Sequence, residues 1–286
     1  MTDKPSFPSI EALRSTLKTL QGANLPEEAR ITVDESIEQL YKVEVDLDNL
    51  AQSAQEANQA RAKFVSVVTH ELRLPLTSIK GYTDLLRQGI VGAVNDQQKN
   101  FLNVIRNNVE RMSALISDLS DLSHIQAGRL KLQPKPTTIQ AVIDEVLNAS
   151  KSKIEEKNQT LEILIPAEAI DLEVDQSRLV QVINYLLSNA NKYTPTEGKI
   201  VLRSFMTGEN VRIEVSDNGV GISAEDQTRL FSAFFRSEDE AVREFPGWGL
   251  ALHVARLLLE LMHGEIGVES EFRKGSTFWL TLPKKI

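Results

Sequence analysis

Four imidazoles are available for chemistry in this chain, at His70, His124, His253 and His263, and there is no cysteine to act as thiol nucleophile, disulfide partner or thiolate ligand. Only His70 has a carboxylate as its immediate neighbour, Glu71. An imidazole that attacks phosphorus must shed a proton, and an adjacent carboxylate can orient the ring and accept it. His70 lies two residues from both Val68 and Leu72. At about 100° per residue that is roughly 200° around a helix from the apolar stripe, so the ring is expected to face solvent. No histidine pair has HxxxH-type spacing, so metal binding by imidazoles is not expected. His253, three residues from Leu250 and four from Leu257, reads as structural.

A second group of residues suits a nucleotide-like ligand. In DNGVGI, Asp217 ends a strand, and Gly219 and Gly221 allow a tight backbone approach that suits a flat ring, though alone the motif is just as readily a hairpin turn. Gly247 and Gly249 precede a helix expected from about Leu250, whose free amides and positive dipole end favour phosphate oxygens. Asn189, Lys192 and Tyr193 fall on one helical face, opposite the apolar Leu179, Val182 and Leu186.

These residues need elements to hold them. Ile10, Leu13, Leu17 and Leu20 mark a short amphipathic helix ending at Gly22. Between Glu27 and Pro75 there is no Gly or Pro, and Val33, Leu40, Leu47, Ala54 and Val68, with Val43, Leu50, Ala57 and Phe64, fill heptad positions of a parallel coiled coil. Arg61 and the small Ala54 and Ala57 loosen that seam. Pro75 is expected to bend the helix just beyond His70. The pattern resumes through Ile79, Tyr82 and Leu86, breaks at Gly89 to Asp96, and returns over 97 to 127 with Phe101, Ile105, Val109, Met112, Ile116, Leu119 and Ile125. A single hairpin cannot bury both stripes, so a homodimeric four-helix bundle is the simplest solution. Beyond Pro134 and Pro136 the pattern changes. Helices near 138 to 152, 176 to 192 and 248 to 262 alternate with strands at 161 to 165, 199 to 206, 210 to 216 and two more ending at Pro283. The strands are too often adjacent for a doubly wound parallel sheet, so an α/β sandwich, a helix layer on a mixed sheet, is expected.

The composition narrows the function classes. With 286 residues, 41% hydrophobic and 25% charged, the chain can build two cores. A net charge of −8 without any basic cluster argues against nucleic acid as a partner. No apolar run reaches the roughly 18 to 20 residues of a membrane span. The chain is expected to be cytoplasmic, touching a membrane only through a segment outside it, and the absence of cysteine suits a reducing compartment.

The string THELRLPLTSIKGY resembles the H box of sensor histidine kinases, which is usually written HELRTPLTSI. VINYLLSNANKYTP is similar to the N box, VSDNGVGI to the G1 box, LFSAFFR to the F box, and GWGLAL and GSTFWLTLP to the remaining glycine boxes. These boxes stand in family order and span roughly Arg61 to Leu282. The resemblance implies a dimerisation and phosphoacceptor domain followed by an ATP-binding domain of the gyrase and chaperone ATPase type. It divides the chain into a helix and linker at 1–26, a coiled-coil signalling helix at 27–60, a phosphotransfer domain at 61–130 and a catalytic domain at 131–286. It further implies ATP and Mg2+ as cofactors, phosphorylation of His70 with help from Glu71, and onward transfer to an aspartate of a response-regulator receiver domain. The docking face for the regulator is expected around Thr77, Ser78, Gly81 and Tyr82. Asn189 is assigned to magnesium, Lys192 to phosphate and Asp217 to the adenine amino group. Tyr193, Gly219, Gly221, Gly247, Gly249, Leu250 and Thr277 line the nucleotide. Phe231, Phe234, Phe235 and Arg236 close the site beside an acidic lid from Ser237 to Glu244, and a hinge near Leu130 to Pro136 brings the domains together.

Several positions depart from the family pattern. Leu74 stands where threonine or asparagine is usual, and Tyr185 where the N box normally begins with asparagine. GWGLALH replaces GTGLGLA, putting Trp248, Ala251 and His253 in place of small residues, and Met262 and His263 replace a histidine and a glycine before Gly264. Bulk at Trp248 and Ala251 would crowd a triphosphate. A degenerate kinase acting as a regulatory dimer or scaffold is therefore the rival to an active enzyme. A simple ATPase of the same superfamily would need a carboxylate near the start of the N box, which Tyr185 does not provide.

Overall fold

The computed structural model describes residues 8–23 and 26–285. Two units are distinguished, residues 1–64 and residues 65–286. In the first, helix α1 (Pro8–Gln21) lies antiparallel to the early part of α2 (Glu27–Arg87). Gln21 Nε2 donates to Asp34 Oδ1 at 2.7 Å, Arg14 pairs with Glu44 at 3.5 Å, and the Arg14 guanidinium sits 5.6 Å from the Tyr41 ring centre. Val33, Leu40 and Leu47 are half-buried here, whereas Val43 and Leu50 of the second heptad register are exposed.

The second unit begins with a helical hairpin. Helix α2 continues through Pro75 without a break. Proline lacks an N–H, so the Glu71 carbonyl one turn earlier has no intrahelical donor from position 75. Helix α3 (Asp96–Gln126) starts at a capping box: the Asn95 side chain accepts from Gln98 N, and the Gln98 side chain accepts from Asn95 N, both at 2.8 Å. Thr69, Leu76 and Thr83 are buried on α2, and Leu102, Val109, Ile116 and Ser123 on α3. Both sets recur every seven residues, which is the spacing of two helices meeting along one seam. Val67, Ile79, Tyr82, Phe101, Val104 and Met112 remain exposed outside that seam.

The rest of this unit is an α/β sandwich. Strands β2 (Thr160–Leu164), β4 (Lys199–Thr207), β5 (Asn210–Asp217), β6 (Glu265–Glu271) and β7 (Gly275–Pro283) form one sheet in the order β2-β4-β5-β7-β6. The β2–β4 pair is parallel and the others are antiparallel, so the sheet is mixed as expected. Helices α4 (Ile139–Glu156), α5 (Gln176–Tyr193) and α8 (Ala251–Leu261) cover it. Ile139, Ile143, Leu179, Ile183, Leu186, Leu258 and Leu259 are fully buried with Ile200, Leu202, Ile213 and Leu280 of the sheet. Each such side chain contributes about 1.5–3 kcal/mol by leaving water.

Two short strands escaped the sequence reading. β1 (Lys135–Thr138) and β3 (Asp171–Val174) pair antiparallel outside the main sheet. Four residues are too few to show a period, and Pro136 disguises the first. Helices α6 (Ala224–Arg229) and α7 (Glu240–Arg243) were missed for the same reason of length. The stretch expected to be a hinge is tied down: Leu130 and Leu132 pack on the core, and Gln133 N donates to Asp175 Oδ2 at 2.9 Å. Truncating Leu186 to Ala should cost about 2–5 kcal/mol of stability, because the cavity would open beneath α5 where the sheet cannot collapse to fill it. Urea unfolding of the two proteins checks this.

Candidate nucleotide site

Helix α5 is two-sided. Leu179, Val182, Ile183, Leu186 and Leu187 are buried under the sheet, while Arg178, Gln181, Tyr185, Asn189 and Lys192 follow one another at spacings of three and four along the opposite face. The far half of that face opens into a cavity of about 660 Å³, within the usual range for a small-molecule site.

Most of the residues expected to bind a nucleotide line this cavity: Asn189, Lys192, Tyr193, Asp217, Gly221, Arg236, Gly247, Gly249 and Leu250. At Gly221 and Gly249 the backbone has φ values of +67° and +70°, and an added Cβ would collide with the Glu271 and Phe235 carbonyls respectively. Only glycine fits either turn. Helix α8 begins at Leu250 with no side-chain cap, so its first amides are left facing the cavity mouth beside Gly247 and Gly249.

Three expected residues are not on the wall. Gly219 is buried behind it, donating its N–H to Asp217 Oδ1 at 2.8 Å. Thr277 points to the other face of the sheet, where Oγ1 donates to Ser216 Oγ at 2.9 Å, and strand alternation gives Ser276 and Phe278 to the cavity instead. Phe234 is 60% exposed, and only its amide is used, donating to the Gly249 carbonyl at 2.9 Å. Its neighbour Phe235 supplies the aromatic wall. His253 is structural, its Nδ1 lying 2.9 Å from the Phe231 carbonyl.

The electrostatics divide the cavity. Desolvation raises the Asp217 carboxyl above its ordinary pKa, against the opposing hydrogen bonds from the Gly219 and Ser276 backbones. Val220, Ile222, Leu230 and Phe278 give the cavity lining its apolar part. Lys192 donates to the Tyr193 hydroxyl at 2.8 Å. Burial, then the charges of Arg236 and Arg111, lower its pKa to about 8. A Cβ on Gly247 would come within 3.0 Å of the Lys192 ammonium, which places that cation at the glycine loop. The Asn189 carboxamide has no hydrogen-bond partner among the described residues and faces the cavity. Its oxygen suits a hard cation such as magnesium whose other ligands are phosphate and water. Trp248 and Ala251 both line the cavity, and Trp248 is 54% exposed.

The near half of the polar face of α5 meets α3, a contact that no sequence signal announced. Tyr185 donates to Asp118 at 2.5 Å, and Gln181 donates to Tyr185 at 2.9 Å and to Asp121 at 2.7 Å. Arg178 pairs with Asp121 at 3.0 Å. Burial raises the Asp118 pKa to about 6, helped by the charge of Asp121 and opposed by the Tyr185 hydrogen bond. His70 lies outside the cavity lining. Its Nδ1 is 3.4 Å from Glu71 Oε1, and its side chain is 66% exposed, as the helical spacing implied.

A helical hairpin bearing an exposed imidazole, beside a mixed-sheet domain with a glycine-walled cavity lined by both acidic and basic side chains, is the arrangement of a phosphoacceptor module joined to a nucleotide-binding one. The comparisons agree. Residues 60–128 match the His Kinase A (phospho-acceptor) domain, and residues 174–286 match the histidine kinase-, DNA gyrase B- and HSP90-like ATPase family. Among curated relatives, the circadian input-output histidine kinase CikA of Synechococcus elongatus is 33% identical over 81% of this chain and 31% of its own length. Sensor histidine kinase RcsC of Escherichia coli K12 is 35% identical over 90% of this chain and 27% of its own. Among solved structures, histidine kinase ThkA in complex with response regulator protein TrrA superposes with a TM-score of 0.55 at 25% identity, covering 82% of this chain and 67% of that one. The chain belongs to the sensor histidine kinases of two-component signalling, and it spans about a third of the length of the curated relatives it matches.

Because Asp118 has a raised pKa, its neutral form is favoured where it is buried. Its contribution to the contact is therefore full below pH 4 and declines as pH rises through about 6. Asn at this position stays neutral. The melting temperature of wild type relative to Asp118→Asn should fall between pH 4 and pH 7. A constant difference across that range would show that Asp118 titrates normally.

Proposed function

We propose that this protein is an ATP-dependent histidine kinase that phosphorylates itself on His70 and passes the phosphoryl group to an aspartate of a response regulator. The observation that carries the reading is the exposed His70 with the Glu71 carboxylate against Nδ1, in the same unit as a cavity that sorts adenine-like and phosphate-like surroundings to different residues.

With its proton on Nδ1 and shared toward Glu71, the ring keeps a lone pair on Nε2. Nε2 attacks the γ-phosphorus as the bond to the ADP oxygen breaks, and the proton on Nδ1 passes to Glu71 as the N–P bond forms. Asp217 accepts the adenine amino group, Lys192 and the open amides at the start of α8 hold the phosphates, and Asn189 would hold Mg2+, which screens the phosphate charge. Most of the rate gain comes from positioning and charge neutralisation.

The unburied apolar side chains of α2 and α3 support a homodimer, whose partner would cover them. Thr77, Ser78, Gly81 and Tyr82 are exposed about two to three turns beyond His70 and form the face assigned to the regulator, in keeping with the ThkA and TrrA complex. The scaffold reading draws its support from Trp248 and Ala251 in the cavity wall.

Incubation with magnesium and γ-labelled ATP should give an acid-labile label that disappears in His70→Gln, while nucleotide binding persists. Label that survives in that variant would assign the acceptor elsewhere, and failure of the wild type to label despite binding ATP would favour the scaffold. Changing Trp248 to Thr together with Ala251 to Gly should tighten ATP binding measured by calorimetry. Unchanged affinity would mean that the loop already accommodates both side chains.

A further inference from the structure

The cavity has a wall that does not come from the nucleotide-binding domain. Asn107, Glu110, Arg111, Ala114, Leu115 and Asp118 of α3 all line it. Their spacings of three, one, three, one and three describe a single helical face, so a continuous side of the phosphoacceptor hairpin closes the site.

Of the three charged groups on that face, two are engaged. Glu110 lies 3.1 Å from Arg106 Nε one turn earlier, and Asp118 holds the Tyr185 hydroxyl. Arg111 makes no hydrogen bond or ion pair among the described residues. Arg111 and Arg236 both act on Lys192, so three cations come near enough to feel one another, while the carboxylates of Glu110, Asp118, Asp217, Asp226 and Asp239 line the same cavity. Among the described residues, Lys192 has only the Tyr193 phenol as hydrogen-bond acceptor, and Arg236 uses one guanidinium nitrogen on the Phe245 carbonyl and leaves the others unspent. The repulsion is felt, since Arg111 and Arg236 both depress the Lys192 pKa. At Lys192 the two guanidinium charges add to its own, a grouping that an anion of several charges would relieve, and a guanidinium can meet phosphate oxygens two at a time.

We infer that Arg111 of α3 contacts the polyphosphate of the bound nucleotide, so that the phosphoacceptor hairpin itself completes the nucleotide site. This rests on the ATP reading above. It goes further in making nucleotide affinity depend on the contact between α3 and α5: whatever separates them removes one phosphate ligand, and by reciprocity the nucleotide strengthens their contact.

Calorimetry on the full chain tests it, with Mg-ATP and adenosine as titrants. Arg111→Gln should bind Mg-ATP about tenfold more weakly, with adenosine unchanged, and Arg111→Lys should recover part of the loss. Lys99→Gln removes a charge from the same helix away from the cavity and should bind both ligands as wild type does. Mg-ATP affinity in Arg111→Gln within twofold of a wild type that binds ATP would overturn the role of Arg111 and leave the ATP reading intact. An equal loss for adenosine and ATP would overturn it too, since that marks a general distortion. A wild type that binds adenosine but no ATP would bring down the ATP reading and this inference together.

Discussion

The structure depends on one constraint, the division of labour around helix α5. Its apolar face must fill the layer above the sheet, and that leaves a single polar face to serve everything else. Along that face Arg178, Gln181 and Tyr185 grip α3, and one turn later Asn189 and Lys192 enter the cavity. Because a helix is stiff over four turns, the grip and the ligand groups cannot shift independently. The capping of its end reinforces this: Lys157 donates to the Asn191, Lys192 and Thr194 carbonyls, and its ammonium lies 5.4 Å from the Phe245 ring centre. Phe245 in turn meets Tyr193 edge to face at 5.5 Å. Phe245 is thereby anchored to the same helix that carries Asn189 and Lys192 into the cavity.

What was legible in the residues followed from periodicity. The long helices, the mixed sheet and the polar strip of α5 repeat often enough to be seen, and their bounds came within a few residues. The cavity wall was legible wherever a short motif fixes the backbone, as at Gly221 and Gly249. It failed at Thr277 and Phe234, where a motif tells which segment is near the ligand but strand alternation and a positive φ at Phe234 decide which side chain faces it. It failed altogether for Asn107, Arg111 and Asp118. Nothing local distinguishes them from the other polar residues of α3, and their role exists only once two distant segments meet.

Tyr185 shows how a departure from a family pattern can carry structural meaning. Read alone, a phenol at the start of the N box is the loss of an amide or carboxylate. In the fold its hydroxyl reaches across to Asp118, so the carboxylate is present after all, delivered from another helix. The substitution exchanges a group belonging to the nucleotide domain for a bond between domains.

Pro75 gives the long α2 helix an uneven mechanical character. The rod is continuous, yet at the Glu71 carbonyl a rung of its ladder is missing, one residue after His70. Bending stiffness is lowest where a rung is absent, so torque or flexure carried along the rod concentrates there rather than spreading evenly. His70 thus sits beside the most compliant point of the shaft that bears it.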